Sequence, residues 1–428
     1  GDDWYITALT AGRGFGKAIQ VTTSILTANS WKTLEEIVDG DVLFDELGNP
    51  CNVLKAHDPY MPSKMFRLWF SDGLYIDADP DHLWTTWTHA DRKAYNRRNE
   101  YRNVDDSVGV PDNWTTWQKT NAKGIPTGTG PKTRTTQELF DTQTYNARGD
   151  INHSIPLTKP LNIPHRDLPV EPYTFGAWLG DGFSISGNIC GHPDDLGYVR
   201  DVIVAEGYEV TKPASVYPSK EDHGCDYIRV VGLHKTLYDM GLRNNKHIPE
   251  EYLFSSIEQR ESLLAGLLDT DGFIHEKNGC IEFSNTNMSI IDGVMFILRS
   301  LGEKPVLAKK NLDMGKYPTA KDAYIITFRP KKNYFRMPRK VTRFKPLTSQ
   351  VSRNYHRMIT KIEEIEPAMV RCLTVDSPSR LFLIGEGLIP THNTRTGSEW
   401  IRKKAREHPG CRIALAGRTV ADVRSVLV

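Results

Sequence analysis

"GRGFGKAIQ", Gly12–Gln20, stops one residue short of a complete phosphate-binding loop. In such a loop the Lys is followed by Ser or Thr, whose hydroxyl binds the magnesium of the nucleotide. Here Lys17 is followed by Ala18. The preceding run, "WYITALTAGRGFGK", supplies the strand and glycine turn that the loop requires, and then no helix comes. The missing pieces stand at the far end of the chain. In "PTHNTRTGSEW", Pro390–Trp400, a Thr at 394 opens a helical stretch that ends at Pro409-Gly410 and gives way to the strand-like "CRIALAG". Joining Lys17 to Thr394 restores strand, loop and helix in order, so Ala18–Asn393 reads as an insert of 376 residues.

Composition bounds the rest. A chain of 428 residues, 39% hydrophobic and 25% charged, has room for two or three folded domains. The net charge of +1 carries no whole-chain nucleic-acid signal, so any basic surface has to be local. No apolar run of about 18 residues and no signal-peptide pattern occurs, which gives an intracellular, cytoplasmic expectation without a membrane partner. The six cysteines are scattered with no C-x-x-C pair, against both a disulfide framework and a zinc site.

Within the insert, "KMFRLWFSDGLYIDADPDHLWTTW" is two aromatic-rich runs around Asp72-Gly73, and "LFLIGEGLIPTHN" is two runs around Gly385-Glu386-Gly387. Both read as hairpins. From about Glu171 to Lys345 the texture changes to helix-length apolar patterns, so a second domain is nested in the first. Thr115–Gln137, rich in Thr, Gly, Pro and Lys, reads as an exposed linker. The ends of the insert carry reactive groups. A side-chain nucleophile can convert a peptide bond to an ester or thioester, and an Asn can then cyclise to cut the chain behind itself. At the second junction Asn393 is preceded by His392, a proton donor, and followed by Thr394, an acceptor hydroxyl.

These residues, the two hairpins and "DPDH" (Asp79–His82) resemble an intein, which implies a β-rich, horseshoe-like Hint splicing domain in two parts, 18–90 and 352–393. The resemblance assigns His82 to polarising the first scissile bond, and puts Asp79 where a Thr is usual. Ala18 stands where most inteins have Cys or Ser. Either it replaces a native Cys, or attack comes from elsewhere. "VRCLTV" places Cys372 where most inteins carry an acid, and Trp84, Cys372 and Thr394 together resemble the marker of class 3 inteins, which lack the first nucleophile. The resemblance implies attack by Cys372, transfer to Thr394 and release by Asn393 with His392, all without a cofactor.

The nested segment, 171–347, carries a second resemblance. "LAGLLDTDG", Leu264–Gly272, matches the LAGLIDADG signature at seven of nine positions, and "TFGAWLGDG", Thr174–Gly182, at three. The pair implies an α+β homing endonuclease of two αββαββα halves on one chain, hence a monomer. Two helices would pack through Gly176, Ala177, Ala265 and Gly266, each ending on an acid, Asp181 or Asp271. Such a carboxylate pair needs a divalent cation such as magnesium to relieve its repulsion. Lys246, in "NNKHIPEEYL", carries over as an active-site lysine.

Two basic runs make local DNA-binding candidates. One comprises Arg329, Lys331, Lys332, Arg336, Arg339, Lys340, Arg343 and Lys345; the other comprises Arg92, Lys93, Arg97 and Arg98 within a 91–170 segment read as linker or recognition insertion. The implied partner is duplex DNA at the uninterrupted insertion site. The flanks, 1–17 and 394–428, resemble the α/β P-loop ATPase of a phage terminase large subunit. Gly14, Gly16, Lys17 and Thr394 would bind ATP and magnesium after ligation. The rival reading is a packaging ATPase with a permanent, inert DNA-binding insertion.

Overall fold

The computed structural model describes residues 18–100, 113–121, 123, 125, 127–142, 144–212, 226–310, 322–345 and 352–393. Lys17, Gly14, Gly16 and Thr394 lie outside these residues, as do the side chains of Arg97 and Arg98.

A six-stranded antiparallel sheet holds the outer parts of the insert together. Its order is Ser154–Pro156, His356–Ile365, Met65–Phe70, Tyr75–Ala78, Ile19–Gln20 and Val370–Arg371. Sequence-distant strands are neighbours here, so the first residues of the insert lie between the Asp72-Gly73 hairpin and the strand leading to Cys372. Both expected hairpins form. Gly73 and Gly385 take positive φ at their turns, a conformation a side chain resists. The alternating burial of Met65–Phe70 feeds a core of Phe66, Leu68, Phe70, Ile76, Leu373 and Ile384.

The linker reading of Thr115–Gln137 and the separateness of 91–170 are corrected. Lys132–Thr135 pairs with Leu83–Thr86, and Ser154–Pro156 pairs with His356–Ile365. Trp117 is buried and stacked on Trp87 at 5.1 Å. Turn-rich composition there marks tight bends between ladder strands and not a loose tether.

In the nested part, two helices, Pro172–Asp181 and Ile257–Asp271, cross at their glycines. A Cβ on Gly176 would fall 2.2 Å from the Leu263 carbonyl oxygen, and one on Gly266 would fall 2.3 Å from that of Tyr173. Nothing larger than hydrogen fits at that spacing. The second half follows the expected αββαββα order, with the sheet Gly272–Ile274, Ile281–Asn285, Ala323–Phe328 and Val306–Lys310. The first half is thinner. Its leading strand is reduced to a bridge between Gly182 and Ile189 beside the sheet Asn188–Gly191, Asp226–Val230 and Val210–Thr211. Among the described residues no helix is long and apolar enough to cross a membrane.

Candidate functional site

The antiparallel register Ile19↔Arg371, Gln20↔Val370 places Ala18 opposite Cys372 when extended by one residue. Both side chains are buried in one small cluster with Met65 and Val370, and Tyr60 packs on it. The thiol is thus next door to the first junction although 354 positions separate it from Ala18. The Ala18 amide donates to Asp79 Oδ2 at 3.2 Å, and the Asp79 amide returns a bond to the Ala18 carbonyl at 3.1 Å. Tyr60 donates its hydroxyl to the same carboxylate oxygen. Burial pushes the Asp79 carboxyl up to about 6.

The "DPDH" turn reaches both junctions. Three residues beyond Asp79, His82 is fully buried, and its Nε2 shares a hydrogen bond with the Thr391 hydroxyl, two residues before Asn393. Trp84 stands edge-on to His82 at 4.8 Å and donates to the Thr136 hydroxyl at 3.0 Å, which fixes the imidazole. His392 Nε2 bonds the Thr85 hydroxyl at 2.6 Å. Asn393 is buried; its Nδ2 donates to the Val375 carbonyl at 2.9 Å, while its Oδ1 has no partner among the described residues. The described side-chain contact on the Ala18 nitrogen comes from Asp79.

In the nested domain the helix crossing delivers Asp181 and Asp271 to adjacent ends. Burial, and then the charge of Asp181, pushes the Asp271 carboxyl up to about 6; burial raises Asp181 as well. Lys246 donates to the carbonyls of Trp178, Leu179 and Gly182 at 2.7 to 3.0 Å, closing the end of the first helix. Lys340 does the same for the second, donating to Leu268, Asp269, Thr270 and Gly272 at 2.7 to 3.3 Å. Burial pulls both ammonium groups down to about 8. Two acids and two buried lysines therefore form a pseudo-symmetric set. The sequence names Lys340 only as a DNA contact, yet a spacing signal exists: Lys246 lies 65 residues after Asp181, and Lys340 lies 69 after Asp271. The paired carboxylates suit a hard divalent cation, since their mutual repulsion is what such an ion relieves.

Several cations of the two basic runs have partners within the protein. Lys331 donates to the Gly302 carbonyl, Lys332 pairs with Glu261, Arg339 with Asp195 and Arg343 with Glu276. Arg336 lies over the Tyr173 ring at 5.1 Å and donates to Ser262. Arg92 is buried and donates to the carbonyls of Trp87, Asn152 and Ile151 and to the Ser154 hydroxyl. Lys93, Arg329, Lys332, Arg336, Arg339 and Lys345 are exposed.

Residues 247–332 match the family model described as Homing endonuclease. A replicative DNA helicase DnaB of Mycobacterium intracellulare is 31% identical over 416 residues, 95% of this chain and 63% of the relative. The nested segment is thus similar to a homing endonuclease. The chain spans less than two thirds of the length of that curated relative, and a second helicase DnaB, from Mycobacterium leprae (strain TN), is 32% identical over 73 residues, 17% of this chain and 12% of the relative. Among solved structures, the MchDnaB-1 intein superposes with a TM-score of 0.26 at 11% identity, over 88% of this chain and 100% of that one. The homing endonuclease I-DmoI in complex with DNA and calcium gives 0.28 at 14%, over 41% of this chain and 95% of that one. These relatives are named as replicative helicases, which corrects the terminase and phage reading of the flanks.

Proposed function

We propose that the chain carries an intein, which excises residues 18–393 and ligates Lys17 to Thr394 by a route that starts at Cys372. The observation that carries this reading is the register that sets Cys372 opposite Ala18. Ala18 offers no attacking atom, and a thiol becomes a nucleophile near neutral pH far more readily than a hydroxyl. The Cys372 sulfur attacks the Lys17 carbonyl, and the Ala18 nitrogen leaves with a proton. The Thr394 hydroxyl then takes the acyl group and returns the thiol. Asn393 Nδ2 closes on its own carbonyl, assisted by His392, and frees the Thr394 amine, which captures the ester to form an amide.

The host is a P-loop ATPase of the replicative-helicase kind, as its relatives' names suggest, and Thr394 completes its loop for ATP and magnesium after ligation. The rival, a permanent inert insertion, leaves one chain on a gel, while splicing leaves two products. Expression of Cys372→Ala is the test. Loss of ligation with retained folding supports the route, and full ligation removes Cys372 from it.

The nested domain cleaves duplex DNA at the uninterrupted insertion site, acting as a single chain. Asp181 and Asp271 would hold a divalent cation such as magnesium, which would supply an activated water and stabilise the leaving oxygen. Lys246 and Lys340 keep the helix ends, and with them both acids, in place. Magnesium-loaded protein should cut a duplex encoding the joined Lys17-Thr394 site, and Asp271→Asn should abolish the cut.

A further inference from the structure

Resting on the Cys372 route, we propose that Asp79 is the acid that protonates the Ala18 nitrogen as the Lys17–Ala18 bond breaks, and that Tyr60 passes it the proton given up by Cys372. The leaving group of the first step is an amine, which departs poorly unless it is protonated. Asp79 Oδ2 lies 3.2 Å from that nitrogen. The same oxygen receives the Tyr60 hydroxyl, so one carboxylate atom joins the phenol to the scissile amide. Tyr60 packs on the cluster that holds Ala18 and Cys372, and the charge of Cys372 acts on its hydroxyl.

The other carboxylate oxygen, Oδ1, is buried with no partner among the described residues. An uncompensated buried oxygen favours the protonated acid, the form able to donate. Tyr60 is held in its protonated form by burial and then by Asp79, with a smaller contribution from the charge of Cys372. Neither group is used by the chemistry of the second junction, where Thr85, Thr391 and Val375 supply the described contacts.

The step balances. A carbon–sulfur bond forms at the Lys17 carbonyl and the carbon–nitrogen bond to Ala18 breaks. The thiol proton moves to the Tyr60 oxygen, the phenol proton moves to Asp79, and the carboxyl proton moves to the departing nitrogen. No charge is left over and no redox partner is needed. Asp79 touches a reacting atom and is catalytic in this sense, whereas Tyr60 acts through it.

The test uses the full chain carrying Asn393→Ala and Thr394→Ala, which stops the reaction at the Cys372 thioester, with added dithiothreitol releasing the N-terminal flank. Asp79→Asn keeps the size and both hydrogen bonds but cannot pass a proton, and release should slow 100-fold or more. Asp79→Glu should recover part of the rate, and Tyr60→Phe should slow release about tenfold, with unfolding midpoints close to the parent. Asp79→Asn or Tyr60→Phe releasing at the parental rate would overturn the relay. Should Asp79→Asn fail to fold, Tyr60→Phe decides alone. The Cys372→Ala control separates the two readings: release that survives it defeats the Cys372 route, while release lost there but unchanged in both relay variants defeats only the relay.

Discussion

Lys340 and Lys246 show how a buried cation can hold a helix end that already carries an acid. The C-terminal carbonyls of a helix present partial negative charge, and an aspartate beside them adds more. Each lysine offsets both at once. Replacing Lys340 with Met leaves the Leu268, Asp269, Thr270 and Gly272 carbonyls without their donor, a loss of about 2–3 kcal/mol. A lower unfolding midpoint together with lost DNA cleavage is expected, whereas Lys345→Ala, at an exposed position, should weaken DNA binding without moving the midpoint. Asp271 adds a pH signature. Its folded carboxyl, pushed up to about 6 by burial and Asp181, holds a proton more tightly than the unfolded chain does. Stability is therefore highest below pH 4 on this group's account and falls as pH rises from about 4 through 6, by no more than about 3 kcal/mol. In thermal melts of metal-free protein, Asp271→Asn should remove this decline. Magnesium should raise the midpoint of the parent at pH 7 and leave that variant unmoved.

The helix pair is the element whose formation depends on the smallest side chains. Gly266→Ala sets a methyl against the Tyr173 carbonyl and the Ala177 nitrogen, both backbone atoms that cannot rotate away. The helices must separate, at a cost of about 1–3 kcal/mol, and the two acids move apart with them. Cleavage assays and chemical denaturation on that variant should show lost activity and a lower midpoint together. This element was legible in the sequence because glycines and a terminal acid recur in both segments, even where the first segment matches the signature at only three positions. The hairpins were legible for a similar reason, since Gly73 and Gly385 mark turns that local sterics demand. The fate of the basic run was not. Composition counts charges, but which carboxylate the fold sets beside each of them, as Glu261 for Lys332 and Asp195 for Arg339, is decided by tertiary structure. The Asp79–Ala18 contact was hidden for the same reason, being a pairing across 61 positions.

At the scale of the whole molecule, the two domains share a core. Leu26, Phe44, Leu383 and Leu388 of the splicing domain pack with Phe254 and Phe296 of the nested domain, around Leu161 and Ile163 of the connecting segment. The Phe296 ring also meets Trp31 at 6.1 Å, and Arg299 reaches Glu386 at the tip of the hairpin that carries His392. Seating the hairpin against a helix of the other domain couples nuclease folding to the position of Asn393. Phe296→Ala leaves a cavity under that hairpin and should cost about 3–5 kcal/mol. Breaking the half-exposed Arg299–Glu386 pair by Glu386→Ala should cost less than about 1 kcal/mol. The physical reason for the contrast is that apolar contacts removed from water position the hairpin, while an ion pair open to solvent on one side adds little. Calorimetry should find one cooperative transition in the parent, and gel-based splicing rates should fall for Phe296→Ala and hold for Glu386→Ala. Two well-separated transitions, with Phe296→Ala shifting only one and splicing unchanged, would show that the domains fold and act independently despite the shared core.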